Sequence, residues 1–138
     1  MFKNLSPKAL GVSGRQSELI ELSLTYGFRG LDLDMSDFLK RVRTSSLDQA
    51  RRFLDSAKIQ VGGFEFPIDW QGDDASFEKN RPQIAQLAET CSAIGAKRCC
   101  ISVAPASDEL PYHENFERVR ARLTEIAEVF QPHGVTLG

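Results

Sequence analysis

Ile94-Gly95-Ala96-Lys97-Arg98-Cys99-Cys100-Ile101-Ser102-Val103 joins the end of a helix to a strand. Gly95 stands where a helix stops, because glycine accepts the left-handed backbone of a helix C-terminus without strain. The run Arg98–Val103 that follows is continuous rather than alternating, which fits a strand of parallel sheet covered on both faces. Upstream, Ile84, Leu87, Ala88, Cys91 and Ile94 recur at helical spacing, with Ser76 as a candidate N-cap. Pro82 lies inside that stretch, where it either kinks the helix or starts its second part.

The same helix-to-strand join occurs twice more, at Tyr26-Gly27-Phe28-Arg29-Gly30 and at Pro132-His133-Gly134. The first closes a helix carrying Leu19, Ile20, Leu22, Leu24 and Tyr26, for which Ser13 and Gln16 resemble a capping box. It leads into Arg29–Met35, which alternates as a strand does. Ser46 with Gln49 opens a helix through Ala50, Phe53, Leu54 and Ala57. Ile59–Pro67 is a further strand, its glycines marking a bend, a bulge or a close backbone approach. Phe116, Val119, Leu123, Ile126 and Phe130 form the stripe of a last helix, the remaining face being covered by charges that include Arg122. Val135–Gly138 begins another strand, and the short apolar run Lys8–Ser13 is the candidate first strand.

Strand and helix alternate throughout, so the class is α/β, built of parallel βαβ units. Gly11-Val12-Ser13-Gly14 does not match the dinucleotide fingerprint that a doubly wound sheet would carry after its first strand. A (β/α)8 barrel needs about 250 residues. These 138 residues, with four to five strands and four main helices, read as one partial barrel domain spanning 1–138 and stopping in strand 5.

The hydrophobic share of 41% and charged share of 26% are those of an ordinary globular protein. A net charge of −2 supplies no basic field for nucleic acid or an anionic membrane. The local run Lys40, Arg41, Arg43, Arg51 and Arg52 reads as a solvated helical face. No signal peptide or membrane span is legible. Cys91, Cys99 and Cys100 give neither a disulfide framework nor a zinc spacing, and read as buried, reduced thiols of a cytoplasmic protein. No Ser-His-Asp order, P-loop or metalloprotease helix occurs.

Catalytic groups of barrels sit at strand C-termini and in the loops that follow. Asp32, Asp34 and Ser36 qualify after the second strand, Asp34 either binding substrate or capping the next helix. Glu65, Asp69 and Trp70 flank Pro67; the tryptophan either stacks on a sugar or fills the core, the commoner fate. Glu65 in an apolar strand is expected to face the barrel mouth or to pair with an arginine. Ser107, Asp108, Glu109, Tyr112 and His113 form the fourth group, whose carboxylates either bind hydroxyls and assist proton transfer or cap the helix near Glu114. His133, in a helix-stop turn, reads as structural. Cys99 and Cys100 read as buried filler of a strand.

Tyr26–Asp34, Phe66-Pro67-Ile68-Asp69-Trp70, Ala104–Glu109 and His133-Gly134-Val135-Thr136-Leu137-Gly138, in this order and spacing, resemble the sugar phosphate isomerase/epimerase family of xylose isomerase-like barrels. The resemblance spans essentially the whole chain. It implies a divalent metal (Mn, Mg, Co or Zn) held by residues of later strands, the first expected just beyond Gly138, so no metal ligand is expected in this stretch. It also implies proton transfer next to the carbonyl of a sugar or keto-sugar. Glu65, Asp69 and His113 are then the candidate catalytic residues, and Asp34, Trp70, Ser107, Asp108 and Glu109 the candidate substrate-binding ones. A related lyase of the inosose dehydratase kind and a non-catalytic, self-associating half-barrel scaffold are the alternatives. The DNA-repair endonuclease branch would want an aromatic and basic patch that this acidic chain lacks.

Overall fold

The computed structural model describes residues 1–138. Five strands form one sheet in the order of the chain, every neighbouring pair parallel: β1 (Asn4–Leu5), β2 (Gly30–Leu33), β3 (Gln60–Glu65), β4 (Arg98–Cys100) and β5 (Thr136–Leu137). Between them run α1 (Gln16–Thr25), α2 (Met35–Thr44), α3 (Leu47–Ala57), α4 (Asp74–Ile94) and α5 (Tyr112–Phe130). Sequential parallel strands, each returned by helical crossovers, are the arrangement of a (β/α)8 barrel, of which five strands are present. No helix is long and apolar enough to cross a membrane.

The three glycine joins are one device. Gly27, Gly95 and Gly134 adopt φ of 73°, 69° and 70°, the left-handed conformation that ends a helix and turns the chain into the next strand. The glycines of β3 also do what their pattern implies. Leu31 pairs with Val61 and Leu33 with Phe64, so β3 has one extra residue opposite Asp32, a bulge at Gly62-Gly63.

Several local expectations are corrected. The first strand is Asn4–Leu5, and Lys8–Leu10 is instead a 3-10 turn closed by Gly11 at φ 66°. Leu10 is then 66% exposed, so that apolar run is a surface turn. Helix α1 is entered through Arg15, whose backbone N–H donates to Glu18 (2.7 Å), and Ser13 takes no part. Helix α4 is capped by Asp73, which accepts from the Ser76 N–H (2.7 Å), and bonding from the Ser76 hydroxyl and N–H holds its carboxyl below the usual carboxylate range. The helix runs through Pro82 without interruption. Ser46 does cap α3, accepting from Gln49 (3.2 Å). There are five main helices rather than four, because Asp34 starts an additional one, α2. The basic run is therefore split between α2 and α3, with Arg41 stacked 4.5 Å from the Phe53 ring centre.

One apolar core holds the layers together. Leu5, Leu31, Leu33, Phe64 and Cys99 point from the sheet into the helices and meet Ile20, Phe38, Leu54, Leu87, Ile126 and Phe130. Strand alternation puts Asn4, Asp32, Glu65 and Cys100 on the opposite face, and Cys100 is exposed rather than buried. That second face is polar and carries no helix.

Candidate active site

Two groups of polar side chains stand out, one rising across the sheet and one at the C-terminal ends of β3 and β4. The first is on the helix-free face. Asn4 of β1 donates to the carboxylate of Asp32 on β2 (2.7 Å). Its side chain lies flat against the sheet, where a Cβ on Gly30 or Gly62 would overlap it. Above this pair Lys8 forms an ion pair with Glu65, spanning from the turn after β1 to the end of β3. Glu65 lies in register with Cys100. Glu65 thus pairs with a lysine instead of an arginine, and with its side chain 58% exposed it faces solvent.

The second group lies between the loops after β3 and β4. Asp69 folds the first loop, its Oδ1 accepting from the N–H groups of Gln71 (3.1 Å) and Gly72 (3.2 Å). A Cβ at Gly72 would come within 2.9 Å of the same carboxylate, so glycine lets this turn close. Ser107 folds the second loop, its Oγ accepting from the N–H groups of Glu109 (3.2 Å) and Leu110 (3.3 Å). Gln71 ties the loops together by donating to the Ser102 carbonyl (2.8 Å).

Helix α5 closes the back of this group. Arg122, only 5% exposed, donates from Nη1 to the carbonyls of Trp70 (2.9 Å) and Gly72 (2.7 Å) and from Nη2 to Asp74 (2.6 Å). Its guanidinium lies 5.0 Å from the Phe77 ring centre. The resulting cleft, about 270 Å³, has Trp70 and Gln71 on one side and Ser107, Asp108 and Glu109 on the other, with Asn115, Arg118 and Arg122 along α5. A larger notch of about 470 Å³ between α2 and α3 has no apolar wall and takes no residue from these two loops.

Four of the candidate residues, Trp70, Ser107, Asp108 and Glu109, therefore line one cleft. Trp70 is 5% exposed, a core residue that contributes a small part of its surface there. The others stand elsewhere. Asp34 caps α2 by accepting from Asp37 (3.0 Å), Asp69 makes the turn described, and His113 lies exposed in the first turn of α5. Asp108 and Glu109 cap nothing, since the N-cap position of α5 is Pro111 and no side chain caps the helix. Cys91 and Cys99 are buried; burial pushes the Cys91 thiol up to about 12 and raises Cys99 as well. No three His, Cys, Asp or Glu side chains converge on a possible metal position.

The sequence reading missed Asn115, Arg118 and Arg122, and it placed Phe116 on the buried stripe, whereas Phe116 is 52% exposed. The apolar stripe Phe116, Val119, Leu123, Ile126 and Phe130 drew the assignment, whereas Asn115, Arg118 and Arg122 share a neighbouring face of the same helix at helical spacing.

The model of the xylose isomerase-like TIM barrel family matches residues 20–138. No curated protein matches the sequence significantly. Among solved structures, a xylose isomerase domain protein from Alicyclobacillus acidocaldarius superposes with a TM-score of 0.86 at 15% identity, covering 99% of this chain and 48% of the other. The IolI protein, described with a bound zinc atom, gives 0.79 at 16% identity over 100% of this chain and 50% of its own. D-psicose 3-epimerase from Clostridium cellulolyticum H10, described with D-tagatose, gives 0.74 at 14% identity over 99% and 51%. The chain spans about half the length of each of these structures.

Proposed function

Because the chain belongs to the xylose isomerase-like TIM barrel family, we propose that it supplies half of the catalytic barrel of a sugar isomerase or epimerase. The substrate is a sugar or keto-sugar, and the reaction moves a proton at a carbon next to a carbonyl. A base removes that proton, and the enediolate left behind is reprotonated either on the adjacent carbon or on the opposite face of the same one. The observation that carries the reading is the cleft of Trp70, Ser107, Asp108 and Glu109, which opens at the C-terminal ends of β3 and β4, the end at which barrels of this architecture work.

Within this reading Glu65 is the first candidate for the acid–base work, because it ends β3 on the helix-free face beside Lys8. Asp69 and His113 are the further candidates, and Asp34 joins the cleft residues in holding hydroxyls. A divalent metal, Mn, Mg, Co or Zn, belongs to the proposal for the whole barrel only. Its ligands would come from the later strands, as the family resemblance implies. Three free cysteines, two of them buried, are in keeping with a reducing, cytoplasmic setting.

Deuterium wash-in provides the test. The complete gene product is incubated with a panel of ketoses and aldoses in D2O, and proton NMR follows the position next to the carbonyl. Isomerases and epimerases of this kind exchange that proton with solvent and form a new sugar. Loss of water with formation of an unsaturated or deoxy product would replace the isomerase reading by the lyase. Absence of both exchange and turnover across the panel would refute the enzymatic reading.

A further inference from the structure

We infer, resting on that sugar-binding reading, that the cleft takes an uncharged polyhydroxy ligand and rejects its phosphorylated counterpart, Asn115 and Arg118 of α5 donating to its hydroxyls and Asp108 and Glu109 setting the discrimination against phosphate. Charge comes first. Arg122 is neutralised by Asp74 and spends its other terminal nitrogen on two carbonyls. Arg118 forms no ion pair and donates only to Asn115 Oδ1 (3.3 Å). Asp108 and Glu109 line the same cleft and are also free of ion pairs. One unpaired cation against two unpaired carboxylates leaves an excess of negative charge, and Glu114 in the first turn offsets the partial positive charge at the start of α5.

A phosphate group needs a surplus of cations or a nest of free backbone N–H groups. The N–H groups that could form such a nest are already used. Those of Gln71 and Gly72 donate to Asp69, and those of Glu109 and Leu110 donate to Ser107. A hydroxyl has different needs, since it both donates and accepts. Asn115, 7% exposed, has its Oδ1 engaged by Arg118, which leaves its amide nitrogen as a donor without a protein partner. The Arg118 guanidinium adds further donors. Across the cleft, Asp108 and Glu109 offer acceptors, and Val119, Ala104 and Ala106 supply the apolar wall that a sugar ring packs on. The volume of about 270 Å³ is at the small end for ligand sites, which fits a single sugar unit.

Trp70 is the protein's one tryptophan and it lines the cleft, so its fluorescence reports on occupancy. The full chain is titrated with D-fructose, D-fructose 6-phosphate and inorganic phosphate. Saturable change is expected with D-fructose, binding at least tenfold weaker with the 6-phosphate, and no response to phosphate. Arg118→Gln should weaken D-fructose at least fivefold. Asp108→Asn combined with Glu109→Gln, both on an exposed loop, should cut the discrimination to under threefold, with thermal melts followed by circular dichroism confirming that each variant folds. Equal or tighter binding of the 6-phosphate overturns the inference and leaves sugar binding intact. Failure of all three probes to move the Trp70 signal overturns sugar binding in this cleft, and the inference with it.

Discussion

Arg122, midway along α5, donates a 2.9 Å hydrogen bond to the carbonyl of Trp70, which lies 52 residues earlier in the chain. The same guanidinium binds the Gly72 carbonyl and Asp74, so one side chain fastens the loop after β3 to the last helix. Its cost in desolvation is offset only if all those acceptors are present. Arg122→Met keeps the length of the stem but leaves two carbonyls without their donor. A loss of about 3 kcal/mol is expected in urea unfolding, the range of hydrogen bonds that involve a charged group. Asp74→Asn should cost no more than about 1 kcal/mol, since that carboxylate is 90% exposed. Equal effects of the two changes would refute the assignment of Arg122 as the hub.

The Asn4–Asp32 pair makes a second prediction, at the floor of the helix-free face. Gly62→Ala would place a methyl group where the Asn4 side chain now lies, whereas a Cβ at Gly63 meets its nearest neighbour, Asp32, at 3.4 Å. Gly62→Ala should therefore destabilise by about 1–3 kcal/mol, as overpacked sites do, and Gly63→Ala by less. The cause is steric, so Asn4→Ala should relieve it. A double-mutant cycle is expected to show a coupling of at least about 1 kcal/mol between Asn4 and Gly62. Simple additivity would mean that the glycine is needed for something other than the asparagine.

These two relationships also mark how far the sequence could be read. The alternation of strand and helix and the stops at Gly27, Gly95 and Gly134 are local signals, and they carried the fold class and the barrel order. Strand β1 has two residues, too few to show any period, so the longer apolar run at Lys8–Ser13 drew the assignment instead. Helix α2 did carry a pattern, Met35, Phe38, Leu39 and Val42 behind Asp34, but the basic residues interleaved with it hid the stripe. Arg122 was not legible as a buried residue because its partners are carbonyls some fifty residues away. A charge can be buried only where the fold brings such acceptors to it, and no local window contains that information. The positions of Trp70 and Ser107–Glu109 at strand ends were legible, whereas the wall supplied by α5 was not.

The thiols give a prediction in pH. Burial raises Cys91 from its ordinary value near 9 up to about 12 and raises Cys99 in the same direction, so the folded state holds these protons after the unfolded state has lost them. Their contribution to stability is complete below about pH 9 and is lost progressively as pH rises from there toward the folded value. Urea midpoints should be steady from pH 7 to 8.5 and fall between pH 9 and 11. Cys91→Ala should flatten that fall, whereas Cys100→Ala, at an exposed position, should leave it unchanged. A thiol reagent at pH 8 should label one cysteine rapidly, Cys100, and the other two only after unfolding. Rapid labelling of all three in the folded chain would show that the burial argument fails.

The helix-free face carries the last prediction, that this chain associates with itself when it stands alone. The outer strands β1 and β5 have two residues each, which offers little edge for another sheet to pair with. The face and its rim offer more. Phe2, Leu10 and Val12 around β1 and Val103 after β4 are 39%, 66%, 38% and 47% exposed, beside a sheet face that no helix covers. Exposed apolar side chains around the rim of an uncovered sheet face favour association, and the proposed contact is therefore face to face rather than edge to edge. Light scattering on the purified chain should give a mass that rises with concentration above that of the monomer. Leu10→Asp together with Val12→Asp should return it toward the monomer without lowering the melting temperature, because neither side chain belongs to the core. A mass that stays monomeric at the highest attainable concentration would sink the prediction. Association that persists in the double variant would move the contact to the strand edges.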